Sequence, residues 1–461
     1  MENRKKVFVF GIDCFEPSLV FEQWRKDLPN LSKLMEEGAW GRMESTLPPI
    51  TVPAWTAMMT SKDPGQLGFY GFRNRKSYDY EELYFANGAY VREKTVWQIL
   101  SRNRMSSVVL GVPQSYPPKP INGIVVGCFL TPDKNSVYTY PEEIAKEIDS
   151  IAEGDYIIDV KDFRTDDKSK LLEQIYVMTR RRFAVVRNWV KSKDWDFFMF
   201  VEMGVDRIHH GFWRYHDVNH RLYEKGHEFE FAIRDYYIYL DREIGKVLEI
   251  LPPETTILVV SDHGAQTMDG AVCVNEFFRR EGYLRLKEEP KKQQKLKTSA
   301  IDWSGTKCWG EGGYYSRIFM NVEGREPQGI IPKADYEKVR DEIKKKLEEL
   351  GDENGNPIGT KVFKPEEVYR EVKNIAPDLI VYFGNLGWRS AGSVGGGSIH
   401  THENDTGPDD ANHARFGLFM MKGGGVKPGK RDGVKIYDIA PTILDHFGIP
   451  EEKGMIGSKI E

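Results

Sequence analysis

Cysteine is scarce in this chain. Four occur in 461 residues, Cys14, Cys128, Cys273 and Cys308, and no two form a C-x-x-C pair. A disulfide scaffold uses a denser set, so a reducing compartment fits better. Long apolar runs are lacking too. No window approaches the roughly 20 residues of a membrane-spanning helix. The early run from Val7 to Phe10 is too short for the core of a signal peptide and leads into an aspartate. The expected location is therefore cytoplasmic, with no membrane partner. Nor is there an excess of either charge: 65 Lys and Arg against 70 Asp and Glu leave a net −5. Binding to a nucleic-acid backbone uses a basic excess or stripe, so it is not expected. What remains is 40% hydrophobic and 29% charged, the balance of a soluble globular protein. The length exceeds what one core usually fills, so one large domain with an insertion, or two subdomains, is expected.

Short apolar runs punctuate the chain. Residues 7–13, 107–112, 197–202 and 256–262 read as buried strands, the first and last ending in Asp13 and Asp262. Helical patterns lie between them, over residues 28–37, 171–191 and 231–251. Strands alternating with helices predict an α/β fold: a mostly parallel central sheet with helices on both faces. In such sheets ligands sit beyond the carboxyl ends of the strands, where Asp13, Asp206 and Asp262 all fall. Composition shifts near residue 284, at a lysine- and glutamine-rich stretch over 287–297. Residues 284–400 then carry strand patterns at 317–322 and 378–383 and a charged helix at 335–350. We expect 1–283 and 401–461 to form the core and 284–400 a smaller inserted subdomain or sheet extension.

Four constellations carry chemistry. Ser261-Asp262-His263-Gly264 sets a carboxylate beside an imidazole at a strand end, a pairing suited to zinc or a similar cation. The plain structural alternative is a capping Asp and a hydrogen-bonded His. Asp206 and His210 are four apart, so one helical turn puts them on one face. The alternative there is an N-cap aspartate, and His209 would point away. Residues 400–413 hold His400, His402 and His413. A solvated turn explains the Asp-Thr-Gly-Pro-Asp-Asp part, not the histidines. His413 precedes an apolar run that can hold it rigidly. Finally, Thr51 reads as an N-cap with Pro53 in the first turn. A hydroxyl at a helix start sits among free backbone N–H groups, where a phosphoryl group binds well. A nearby metal would ionise it.

In this order the motifs resemble the alkaline phosphatase superfamily, and more narrowly its type I phosphodiesterase and nucleotide pyrophosphatase branch. The resemblance runs from residue 7 to about Pro450 and is weak through 284–400. It implies two divalent ions, zinc or alternatively manganese. One would be held by Asp206, His210 and His413, the other by Asp13, Asp262 and His263, with Thr51 joining them as nucleophile. It implies hydrolysis of a small phosphate diester or nucleotide pyrophosphate through a phosphothreonine. Asn74 stands for the family's phosphate-binding asparagine, although Leu67 replaces a histidine common there. His402 and Asp405 remain further candidate ligands. Phe69, Tyr70 and Phe72 are candidates to stack on a nucleobase; Lys62, Arg73 and Arg75 could reach inward.

Rivals can be graded. A sulfatase would want an arginine four positions after its nucleophile, where Trp55 stands. A cofactor-independent phosphoglycerate mutase would want serine in place of Thr51. A phosphomonoesterase needs an extra cation that one sequence does not reveal. A catalytically silent metal-binding protein would show decayed positions, and all seven are filled.

Overall fold

The computed structural model describes residues 4–152, 154–404 and 406–461. Its centre is a ten-stranded sheet. Five strands at its heart run parallel: Thr256–Val260, Val7–Ile12, Phe197–Glu202, Ser107–Leu110 and Gly123–Val126, in that spatial order. Every residue of Val7–Ile12 and Phe197–Glu202 is buried, which is why they read as unbroken apolar runs without alternation. Phe416–Lys422 continues the sheet antiparallel to Thr256–Val260, and Ala39–Glu44 lies antiparallel beyond it.

Helices cover both faces. Phe10 pairs with Phe200 and Gly11 with Val201, and neighbours along a strand point to opposite faces. On one face Phe183, from helix Lys168–Ser192, meets Phe200 edge-on with ring centroids 5.2 Å apart. On the other, Trp55 of helix Thr51–Thr60 lies where a side chain on Gly11 would be; an added Cβ would come within 2.8 Å of the indole. Glycine there lets the helix that begins at Thr51 sit close against the sheet. Strand Thr256–Val260 stops two residues short of Asp262, and Val7–Ile12 stops just before Asp13. Both carboxylates therefore stand in the turns that follow.

A second sheet has four antiparallel strands in the order Cys308–Glu311, Ser316–Met320, Leu379–Tyr382, Lys361–Phe363. Helix Tyr336–Glu348 contributes Ile343 and Leu347 to its core. That core also takes in Val272, Val274, Phe277 and Phe278, so it begins ahead of residue 284. Strand Gly270–Cys273 pairs with both Trp388–Ala391 and His400–Thr401, tying the ends of this region to the rest. Among the described residues no helix is long and apolar enough to cross a membrane.

Candidate active site

Three strand ends and one added pairing assemble the site. Asp13 follows Val7–Ile12, its N–H bonded to the Glu202 carbonyl at 3.0 Å. Helix Gly204–His216 follows Phe197–Glu202 and carries Asp206 and His210 on one face, their Oδ1 and Nε2 3.3 Å apart. Asp262 and His263 lie between Thr256–Val260 and the short strand Gly264–Thr267. That short strand pairs with Ala411–Ala414 and sets Ala265 opposite His413. The register brings His413 onto His263, their rings stacked at 3.7 Å. Gly264 allows it: an added Cβ would meet Glu16 Oε2 at 2.2 Å and the Phe416 carbonyl at 2.5 Å.

The donors converge in two groups, Asp13 with Asp262 and His263, and Asp206 with His263 and His413; within each, one ligand atom per residue lies within 4.8 Å of the others. His263 Nε2 is 3.2 Å from Asp262 Oδ2 and 3.8 Å from Asp13 Oδ1. His413 Nε2 is 3.9 Å from Asp206 Oδ1. Each imidazole is anchored by its other nitrogen. Nδ1 of His413 meets the Pro49 carbonyl at 2.8 Å, that of His263 the Gly264 carbonyl at 3.1 Å, and that of His210 the Asp409 carboxylate at 2.7 Å. For His413 and His263, whose partners are carbonyls, such bonds place the proton on Nδ1 and leave the Nε2 lone pair facing inward, as a metal ligand requires. His210 lies between two carboxylates, Asp409 at Nδ1 and Asp206 at Nε2, and must give up its Nε2 proton to take a cation.

The electrostatics fit cations. Asp13 Oδ1 and Asp262 Oδ2 are fully buried with no hydrogen-bond partner among the described residues. Their other oxygens are held by Trp55 Nε1 at 2.7 Å and the Cys14 N–H at 3.2 Å. Burial, then the neighbouring Asp262 and Asp206, pushes the Asp13 carboxyl well above the usual carboxylate range. Burial does the same to Asp262, with Asp206 adding to it. Burial lowers His263 to about 4 and His413 well below the ordinary imidazole value. Asp206 is the contrast: burial raises it, but His210 and Arg207 outweigh that and hold it well below the usual range. Burial would lower His210, yet Asp409 and Asp206 lift it to about 9. Buried carboxylate oxygens without donors are costly unless a cation meets them.

Thr51 is the first residue of its helix, and Ile50, not Thr51, occupies the N-cap. The hydroxyl expected to cap the helix is turned into the site instead, with Oγ1 3.4 Å from His263 Nε2. Asn74 is arranged differently from the expectation. Its Oδ1 accepts from the Tyr70 N–H at 2.7 Å and its Nδ2 donates to the Gly71 carbonyl at 2.9 Å, so both ends serve its own loop. Of the aromatic trio, Phe69 and Tyr70 are core residues and Phe72 lines the cavity. Lys62 donates to the Lys453 carbonyl and Arg75 pairs with Glu326; of the three cations only Arg73 lines the cavity. His209 turns to the Tyr237 hydroxyl, and His402 to the Asp269 carbonyl. His400 pairs in strand with Val272. Asp405 lies outside the described residues.

Three residues escaped the sequence reading. Trp55 fixes Asp13. Asp409, read as part of a solvated turn, has a fully buried carboxylate that binds His210, Arg164 at 2.9 Å and the Tyr314 hydroxyl at 3.0 Å. Tyr314 stacks on His413 at 4.3 Å and on His210 at 5.0 Å. Asp409 and His210 are 199 positions apart, and no local pattern announces such a contact. Above the donors a cavity of about 630 Å³ takes Thr51, Asp206, His210 and His413 into its wall and extends to Trp309 and Arg317 of the second sheet.

A protein that gathers acidic and imidazole groups at the carboxyl ends of parallel strands, under a ligand-sized cavity, is built as an α/β enzyme with a metal centre. Within that class the chain belongs to the type I phosphodiesterase/nucleotide pyrophosphatase family, whose sequence model matches residues 7–409. Membership makes it a metal-dependent hydrolase of the phosphodiester or pyrophosphate type, acting on small-molecule substrates. His413 lies just past the matched span. A search of curated proteins finds no significant match.

Proposed function

We propose that the chain hydrolyses phosphate diesters or nucleotide pyrophosphates, with Thr51 as nucleophile and a phosphothreonine as intermediate. The observation that carries this is the Thr51 hydroxyl: it caps nothing, and it faces His263 at 3.4 Å beside two unpartnered carboxylate oxygens. Asp206, His210 and His413 would hold one divalent cation, and Asp13, Asp262 and His263 the other. Zinc or manganese there would supply Lewis-acid stabilisation of the Thr51 alkoxide and of charge on the leaving oxygen.

The chain's own groups do the rest. The Thr51 oxygen attacks phosphorus, the first ester group departs, and water then cleaves the phosphothreonine, freeing the hydroxyl. The first N–H groups of helix Thr51–Thr60 have no intrahelical partner and face equatorial oxygens at the positive end of the helix dipole. Asn74 is left out of this role because its amide is committed to its loop.

A diester is favoured over a monoester on one observation. The guanidinium groups in ion-pair contact with Asp206 and Asp409 are already neutralised, Arg207 by Asp159 and Asp206 at 2.6 Å each, and Arg164 by Asp409. A monoesterase needs a free cation for the extra charge of its substrate. The test compares kcat/KM on a bis-aryl phosphodiester and the matching monoester, with zinc or manganese added. Preference for the monoester would overturn the diesterase reading.

A further inference from the structure

Four buried arginines each have a carboxylate partner: Arg75 with Glu326 at 3.1 Å, Arg182 with Glu202 at 3.6 Å, Arg207 with Asp159 at 2.6 Å, and Arg340 with Glu366. Arg317 differs. It is only 7% exposed, and among the described residues it forms no ion pair. Its Nη1 donates to the Arg73 carbonyl, and it lines the cavity that opens over Thr51. Burying a guanidinium without an anion is strongly unfavourable. The second sheet nevertheless fixes it there: Arg317 sits in register between Glu311 and Ile380, with Ser316 and Ile318 buried on either side.

Its surroundings sharpen the point. Glu311 and Asp162 also line the cavity, yet neither pairs with Arg317. Arg73 and Lys295 add two more cations to the cavity wall, also without ion pairs among the described residues. Arg73 lies over the Phe85 ring at 5.1 Å, and Phe85 is 57% exposed. Arg73 and Lys295 are exposed, whereas Arg317 is buried in the wall; all three stand on elements other than those carrying Thr51 and the metal-type donors.

We propose that Arg317 is a specificity-determining residue. It binds an anionic group, carboxylate or phosphate, carried by the substrate away from the scissile phosphorus. The planar guanidinium fork matches both oxyanions in two-point geometry. This rests on the diester reading above and narrows it to substrates with a second negative charge on one substituent.

The test uses metal-loaded full-length protein and three diesters: p-nitrophenyl phenyl phosphate and its analogues with a carboxylate or a phosphate on the phenyl ring. At least one charged diester should exceed the plain one in kcat/KM by about tenfold or more. The better of the two identifies the oxyanion. Arg317→Met should bring that ratio to one or below, and Arg317→Lys should keep part of it. A wild-type ratio of one or less for both analogues overturns the proposal, whether or not the variants fold. So does an Arg317→Met that slows all three diesters by one common factor, because the guanidinium then acts on the scissile phosphoryl group. Turnover without preference removes this inference alone. Turnover of none of the three removes the diesterase reading, and the inference with it.

Discussion

Asp13, Asp262 and His263 bring two carboxyls together with no guanidinium in contact among the described residues. Asp206, His210 and His413 have one carboxylate, which Arg207 touches at 2.6 Å, and a second, Asp409, behind His210. In the first trio burial drives both acids toward their neutral forms. In the second His210 and Arg207 keep Asp206 ionised, and the carboxylates of Asp409 and Asp206 keep His210 protonated. The first trio is thus arranged for an ion the chain does not itself replace, whereas the second is partly balanced from within. Thr51 belongs beside the first, through His263.

The largest effect should come from that hydroxyl. Thr51→Ala is expected to lower kcat by about a thousandfold or more, as loss of a nucleophile does, with metal content and melting temperature close to wild type. Thr51→Ser should recover part of the rate. Full activity in the alanine variant would mean that water, not Thr51, attacks phosphorus. It would also cut the tie between nucleophile and first trio.

The contrast itself can be broken by two asparagine variants of the metal-free protein. Asp262→Asn removes one of two facing buried carboxyls and should raise metal-free stability by about 1–3 kcal/mol. Asp206→Asn takes an anion from Arg207 and His210 and should lower it by a similar amount. Both should lose metal. The pH dependence carries the same sign. The raised carboxyls of the first trio add stability that is present at low pH and lost as pH rises above the usual carboxylate range. The lowered Asp206 adds stability that is present above that range and lost as pH falls. His210, raised to about 9, adds stability that is complete below about 6.5 and lost as pH passes through 9. Chemical denaturation with a chelator present measures all of this. Equal signs for the two variants would sink the comparison.

A smaller effect tests the outer support of the second trio. Asp409→Asn leaves His210 without its anionic anchor and Arg164 without its partner. Metal affinity should fall by about 10–100-fold, the usual consequence of losing such an anchor. Because His210 must shed a proton to take a cation, metal binding near neutral pH should release protons. Calorimetry in two buffers of different ionisation enthalpy would register this. An unchanged affinity would mean that Tyr314, stacked on His210 with its hydroxyl 3.4 Å from Nδ1, orients the ring.

What the sequence disclosed follows the range of the forces involved. Burial of whole strands leaves unbroken apolar runs, so Val7–Ile12 and Phe197–Glu202 were visible, as was the helical spacing of Asp206 and His210. Ala39–Glu44 was not: its burial alternates and its partner Phe416–Lys422 is remote. Among the donors, those at strand ends could be picked out by position. Asp409 could not, because a Pro-Asp-Asp turn looks solvated until a helix 199 positions away closes over it. Arg317 is hidden for the same reason. Its lack of a carboxylate partner among the described residues is a property of the assembled cavity, not of its neighbours in sequence.

The smallest effect on catalysis is expected at Asn74, where resemblance and geometry point in different directions. A phosphate-binding asparagine must present its Nδ2 to the substrate. Here that Nδ2 is 2.9 Å from the Gly71 carbonyl and Oδ1 is 2.7 Å from the Tyr70 N–H, so the side chain is 4% exposed and closes its own turn. Removing it leaves a buried N–H and a buried carbonyl unmet, which costs about 1–3 kcal/mol. Asn74→Ala should therefore lower the melting temperature while kcat/KM per folded molecule changes by less than about threefold, well inside 1 kcal/mol. Arg73→Ala should leave stability nearly untouched, because Arg73 is exposed and forms no ion pair among the described residues. Urea denaturation and steady-state rates on one preparation of each variant separate the two quantities. A large drop in kcat with unaltered stability in Asn74→Ala would mean that the amide leaves its turn to meet substrate, and the loop from Gly65 to Asn74 would then belong to the catalytic apparatus.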